Sequence, residues 1–123
     1  MNIAIAPCTL IIEDDPYTFE WVRRRIKRYG FDAEWAQTLA EGFEKLASDG
    51  HCCVILDLSL PDGNGAEIIR YIRTNHLPVK VAVVSGTADS TMLADAAMLR
   101  PDAFFTKPVD AIELIAWLQS VCF

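Results

Sequence analysis

Four polar clusters in this chain could do chemistry, and each follows directly on a short apolar run: Glu13-Asp14-Asp15, Asp57, Ser85 and Lys107-Pro108. The carboxylates of Glu13, Asp14 and Asp57 form a set of hard oxygen ligands suited to Mg²⁺, which keeps several waters and takes phosphate oxygens as further ligands. A carboxylate such as Asp57 can also accept a phosphoryl group, giving an aspartyl phosphate. The phosphoryl oxygens carry charge that must be neutralised, and catalysis of such transfers is mostly positioning and electrostatics. Lys107 offers a mobile point charge to one of those oxygens, and the Ser85 hydroxyl can donate to another. Together these residues describe phosphoryl transfer onto Asp57, assisted by a divalent cation.

The elements that must position them follow from the apolar pattern. Thr9–Ile12, Ala33–Ala36, Cys52–Leu56, Val81–Val84 and Ala103–Thr106 each read as a buried strand. Between them, Asp15-Pro16 opens a helix on which Phe19, Val22, Ile26 and Tyr29 recur at three- and four-residue steps until Gly30. Thr38 to Glu41 has the form of a capping box, starting a second helix with Leu39, Phe43 and Leu46 on its apolar face and a stop at Asp49-Gly50. Gly65 to Asn75, carrying Ile68, Ile69 and Ile72, reads as the third helix, and Met92 to Leu99, ended by Arg100-Pro101, as the fourth. Asp110 with Glu113 caps a fifth, which contains Ile112, Ile115, Ala116 and Leu118. Regular alternation of strand and helix argues for an α/β fold, a parallel sheet covered on both faces. The third and fourth strands are expected to be the most central, and the second, with Asp32 and Glu34, an edge. In such a sheet the C-terminal strand ends share one edge, where ligand sites form, so the four clusters converge there.

A length of 123 residues fits one domain, with no separate output domain. Its 11 basic against 17 acidic side chains give a net charge of −6, which disfavours direct binding to nucleic acid. No apolar stretch approaches the roughly 20 residues that span a bilayer, and Met1-Asn2 supplies no positive region before Ile3, so no membrane association and a cytoplasmic location are expected. Cys8, Cys52, Cys53 and Cys122 lack C-x-x-C spacing and give no zinc signature. Cys52 and Cys53, in a strand, are expected to be buried, reduced and structural.

In residue types and order the chain resembles a receiver (REC) domain of two-component response regulators over essentially its whole length, 1–123. That family carries an acidic pair after the first strand, a phospho-accepting Asp in a D-x-x-L-P-D-x-x-G stretch, Ser or Thr ending the fourth strand and Lys-Pro ending the fifth. Here these are Glu13-Asp14, Asp57 through Gly65, Ser85 and Lys107-Pro108. The resemblance implies a flavodoxin-like doubly wound (βα)5 fold with strand order 2-1-3-4-5, and Mg²⁺ (or Mn²⁺) held by Glu13, Asp14, Asp57 and the backbone carbonyl of Ser59. It also implies a cis peptide between Lys107 and Pro108 and a switch in which Ser85 moves toward the phosphate. Phe104 stands where the family often has Tyr, so its inward swing would be read through apolar packing alone. Gly86 after Ser85 would leave the acyl phosphate open to attack. The implied partners are a sensor histidine kinase or phosphotransfer protein and a downstream effector or output domain. The output face is that of the fourth helix, fifth strand and fifth helix, with homodimerisation through it as one option. By the same resemblance the domain catalyses only its own phosphorylation and dephosphorylation.

Competing readings meet these residues less well. Asp57 to Ile68 is not a calcium loop, since an EF-hand needs Gly and Glu where Asp62 and Ile68 stand. A Mg²⁺-dependent phosphatase with an aspartyl nucleophile would commonly carry a second Asp where Ser59 stands. A receiver-like binding module that has lost phosphorylation would be free to lose Asp57, Lys107 or Ser85. The basic run Arg23-Arg24-Arg25 with Lys27 and Arg28 reads as the solvated face of the first helix, or as a docking surface for an acidic partner. His51 and His76 are placed far from the strand C-termini, and Trp35 and Trp117 in or near the core. The last helix, with Trp117, Val121 and Phe123, offers apolar surface for core packing or dimerisation. The chain fits either a stand-alone receiver or the first domain of a longer regulator.

Overall fold

In a computed structural model of the chain, residues 8–48 and 50–122 are described. The expected stop residue Asp49, the N-terminal Met1 to Ile3 and the terminal Phe123 lie outside them. The main strands are β1 (Cys8–Ile12), β2 (Asp32–Ala36), β3 (His51–Leu56), β4 (Lys80–Ser85) and β5 (Ala103–Thr106). The helices are α1 (Pro16–Lys27), α2 (Leu39–Leu46), α3 (Ala66–Thr74), α4 (Ser90–Met98) and α5 (Ala111–Cys122). A short antiparallel pair, Ser59–Leu60 with Gly63–Asn64, folds the loop between β3 and α3. The main strands form one parallel sheet in the order β2-β1-β3-β4-β5, as the resemblance implied.

Two cores fill the layers. Leu10, Ile12, Val54, Leu56, Val81 and Val83 face α2, α3 and α4, while Ile11, Cys53, Ile55 and Val84 face α1 and α5. Adjacent strand residues thus serve opposite cores, which explains why the interior strands are apolar without alternation. β3 is the middle strand and β4 is interior, but β1 is equally interior, correcting the expectation that β3 and β4 are the most central. β2 is an edge as expected, and β5 is the other edge. Neither is fully buried, because an edge strand is covered by one neighbour only.

Helix boundaries follow their caps. Asp15 accepts from the Tyr17 N–H with Pro16 in the first turn, and Thr38 accepts from the Glu41 N–H. Asp110 accepts from the Ile112 and Glu113 N–H groups. α4 starts at Ser90, two residues before the expected Met92, because Asp89 caps it through the Thr91 and Met92 N–H groups. Tyr29 falls beyond α1 and is exposed, and Gly30 takes φ +88 as a chain-reversing glycine must. Gly65 lies just before α3 as its N-cap, and Gly42, rather than the half-buried Phe43, completes the buried face of α2. Ile112 is also exposed, so the buried face of α5 is Leu114, Ile115 and Leu118. Among the described residues no helix is long and apolar enough to cross a membrane.

Candidate functional site

Three backbone connections fix the C-terminal edge of the sheet. The Glu13 N–H donates to the Ala36 carbonyl, the Asp57 N–H to the Ile12 carbonyl and the Lys107 N–H to the Ser85 carbonyl, each at 2.9 Å. The hydrogen-bonded ladder therefore continues one residue past the strands and aims the first polar side chains at one place. Glu13 (4 % exposed), Asp57 (7 %) and Ser85 (3 %) are buried, whereas Asp14 is exposed.

Lys107 ties the cluster together: its Nζ donates to Glu13 Oε1 at 2.7 Å and to Asp57 Oδ2 at 3.4 Å. One ammonium cannot neutralise this many carboxylates. Burial, followed by the charge of Asp57, pushes the Glu13 carboxyl up to about 7 although Lys107 works against it. For Lys107, burial opposes the charged form, but the two carboxylates outweigh it and its pKa is raised. Carboxylate oxygens of Glu13, Asp14 and Asp57 lie within 4.8 Å of one another. An all-oxygen donor set with excess negative charge fits a hard cation such as Mg²⁺ and does not suit a soft metal.

The loop after β3 is held as firmly as the strands. The Ser59 N–H donates to Asp57 Oδ1 at 3.2 Å, which orients the carboxylate. The Gly65 N–H donates to the Leu58 carbonyl at 2.7 Å, and a Cβ on Gly65 would stand 2.3 Å from the Asp57 carbonyl oxygen. Only glycine permits that approach. Asp62 reaches out of this loop to accept from the Leu39 and Ala40 N–H groups at 2.8 and 3.0 Å, capping α2, and those donors hold its carboxyl below the ordinary value. Ser85 Oγ accepts from the Thr87 N–H at 3.1 Å, Gly86 is exposed, and the Lys107–Pro108 peptide is cis. Phe104 pairs with Val83 across β4 and β5 but is 41 % exposed, pointing away from the interior.

Two contributors were not read from sequence. Asp62 was visible only as a motif member, because capping a helix more than 20 residues earlier in the chain is a tertiary contact. Trp35 does more than the packing its sequence position implies: its Nε1–H donates to the Glu13 carbonyl at 2.6 Å while its ring stacks on Phe19 at 4.5 Å. A half-buried indole N–H needs an acceptor, but sequence does not say which. The histidines lie elsewhere, as expected: His51 begins β3 beside Glu34 at 3.2 Å, and His76 follows α3. The basic run divides: Arg23 and Arg24 pair with Glu20, and Arg25 lies over the Trp21 ring at 3.8 Å.

The family model for the response regulator receiver domain matches residues 9–119. The chain belongs to that family. This receiver domain is 28% identical over 112 residues to the transcriptional activator protein IrlR of Burkholderia pseudomallei, covering 91% of this chain and 48% of the relative. It spans about half the length of such curated relatives, whose names describe regulators rather than classical enzymes. Among solved structures, a CheY-like receiver domain from Methanospirillum hungatei superposes with a TM-score of 0.86 at 23% identity, covering 94% of this chain and 93% of that one. Another CheY-like receiver, from Methylobacillus flagellatus, gives 0.80 at 28% identity over 95% and 99% of the two chains. The flavodoxin-like fold and the two-component signalling class both stand on these matches.

Proposed function

We propose that this receiver is a phosphorylation-controlled switch in which Asp57 accepts a phosphoryl group from the phosphohistidine of a sensor histidine kinase or phosphotransfer protein. The observation that carries this reading is the Lys107 ammonium bridging Glu13 and Asp57 at the sheet edge. An Asp57 oxygen attacks phosphorus, the phosphorus–nitrogen bond breaks, and the donor imidazole leaves with the electron pair. Glu13, Asp14, Asp57 and the Ser59 carbonyl would hold Mg²⁺ or Mn²⁺, which supplies positive charge to the transferring phosphoryl oxygens. Lys107 turns from Glu13 to a phosphoryl oxygen, and Ser85, whose Oγ accepts from the Thr87 N–H, gives its O–H to another. Drawing Ser85 inward carries Gly86 with it, and the outward Phe104 repacks against the space this opens.

Helix α4 is suited to respond, since among its residues only Ala96 is fully buried. The face of α4, β5 and α5 is then the output surface, for an effector, an output domain or a second copy. The kinase would dock at α1, and this is supported by an open groove of about 680 Å³ that Tyr17 and Trp21 line together with Gly86, Lys107 and Pro108. Residues 1–123 are read as a single cytoplasmic receiver domain whose catalysis is limited to its own phosphorylation and dephosphorylation.

Intact mass after incubation with acetyl phosphate and Mg²⁺ tests this, with a beryllofluoride titration beside it. A single labile phosphate adduct, lost without metal and in Asp57→Asn, is expected. An adduct retained in that variant, or folded protein that takes neither phosphate nor beryllofluoride, would overturn the assignment. Sustained hydrolysis of ordinary phosphomonoesters would instead make the chain a phosphatase.

A further inference from the structure

The opposite edge of the sheet gathers sulfur. Ligand atoms of Cys52, Cys53 and Cys122 lie within 4.8 Å of one another, although Cys122 is 70 residues from Cys52. A bulge makes this possible: Cys8 pairs with His51 and Thr9 with Cys53, leaving Cys52 as the extra residue of β3. Strict alternation would aim Cys52 away from the face that Cys53 occupies. The bulge re-aims it, and Cys52 and Cys53 both join the core beneath α5, where Cys122 ends the helix.

The three sulfurs are not equivalent. Cys53 is fully buried and lies 3.4 Å from the Thr9 hydroxyl. Cys52 and Cys122 are both partly exposed, and their Sγ atoms are 2.7 Å apart. Two thiolates sharing a tetrahedral zinc, each at about 2.3 Å, would stand about 3.8 Å apart. The observed separation is well short of that and approaches the roughly 2.05 Å of an S–S bond. We infer that Cys52 and Cys122 form an oxidation site, closed into an intramolecular disulfide by an oxidant of the peroxide class, which pins the last turn of α5 to the start of β3.

The chemistry balances. Hydrogen bonding with Cys53, and then with Cys122, brings the Cys52 thiol down to about 6 against the effect of burial, so its thiolate is the attacking group. Burial, then its bond to Cys52, pushes Cys122 up to about 12, so it stays a thiol until the second step. The Cys52 thiolate attacks one peroxide oxygen, the O–O bond breaks, and a sulfenic acid and hydroxide result. The Cys122 sulfur then displaces oxygen from Cys52, and its thiol proton leaves with that oxygen as water. The proton first lost by Cys52 neutralises the hydroxide, so two thiols and one peroxide give one disulfide and two waters.

The test is hydrogen peroxide treatment of the reduced full chain, followed by denaturation, alkylation with iodoacetamide and intact mass. The monomer is expected to lose the mass of two hydrogens and to alkylate at half of its 4 cysteines, with full alkylation restored by a reductant. The crosslink is expected to persist in Cys53→Ala and to vanish in Cys52→Ser and in Cys122→Ser. Oxidised wild type should melt on the order of 10 °C higher than reduced protein. Full alkylation of folded, peroxide-treated protein would overturn the inference if a free-cysteine peptide in the same tube is oxidised. So would a crosslink that survives in Cys122→Ser, or one that joins two chains.

Discussion

The two ends of β3 carry opposite chemistry. At its C-terminal end Asp57 shares an edge with Glu13, Asp14 and a single ammonium, all hard oxygen and nitrogen groups. At its N-terminal end, about 17 Å away for five residues of strand, Cys52 meets Cys53 and Cys122. At the thiol end the sulfurs find partners in one another. At the carboxylate end, burial and then the charge of Asp57 push Glu13 up to about 7 against the single ammonium of Lys107. Buried carboxylates sharing one ammonium mark the first end, and sulfurs in mutual contact mark the second.

The sharpest way to break the contrast is Asp57→Asn. It should abolish the phosphate adduct altogether and, by removing a neighbouring negative charge, let the Glu13 carboxyl fall toward its ordinary value, followed by NMR titration. Gly65→Ala comes next. Its Cβ would meet the backbone oxygen of Asp57 at 2.3 Å, so the loop must shift, and a loss of about 3 kcal/mol is expected from urea denaturation. Lys107→Gln leaves Glu13 and Asp57 without their cation. With 28 % of the lysine side chain exposed, water offsets part of the loss, and about 2 kcal/mol should go in metal-free buffer, with Mg²⁺ restoring some of it.

A smaller effect is a pH slope. Because the folded Glu13 carboxyl titrates at about 7 against 4.5 for the free group, the folded state holds the proton more tightly. The stability of metal-free protein that comes from this group is full below 4.5 and declines as pH rises to about 7. Mg²⁺ needs the ionised form, so its affinity should rise over the same interval, measured by calorimetry. A flat metal-free stability curve there would show that neither burial nor the Asp57 charge holds the Glu13 proton, and the contrast between the two ends would lose that support. Smallest is Asp62→Ala, which frees two N–H groups of α2 and should lower the melting temperature by a few degrees while leaving phosphorylation intact.

The carboxylate end was legible in sequence because its residues stand one step beyond apolar runs, where strand geometry dictates the outcome. The same logic gave the sheet, the caps at Asp15, Thr38 and Asp110, and the edge position of β2. The thiol end was not legible. Period-two alternation assigns Cys52 and Cys53 to opposite faces, and only the bulge after His51, a matter of pairing with β1, brings them together. Ile112 stays in solvent although it stands at the right helical step, because no neighbouring element reaches it, and Tyr29 is exposed because α1 ends before it, at Lys27. Asp62 and Trp35 make contacts across the fold that no local pattern encodes.

The bond from the Trp35 indole to the Glu13 carbonyl has an optical consequence. Emission from an indole shifts with the electric field along its ring, and this ring is clamped by Phe19 on its face and by Glu13 at its N–H. A cation or phosphoryl group arriving beside Glu13 changes the field at one end of a chromophore that has little freedom to turn. If Asp57 is phosphorylated as proposed, this indole would gauge occupancy of the site, and replacing Trp35 with Phe would remove its contribution while leaving Trp21, Trp117 and Asp57 in place.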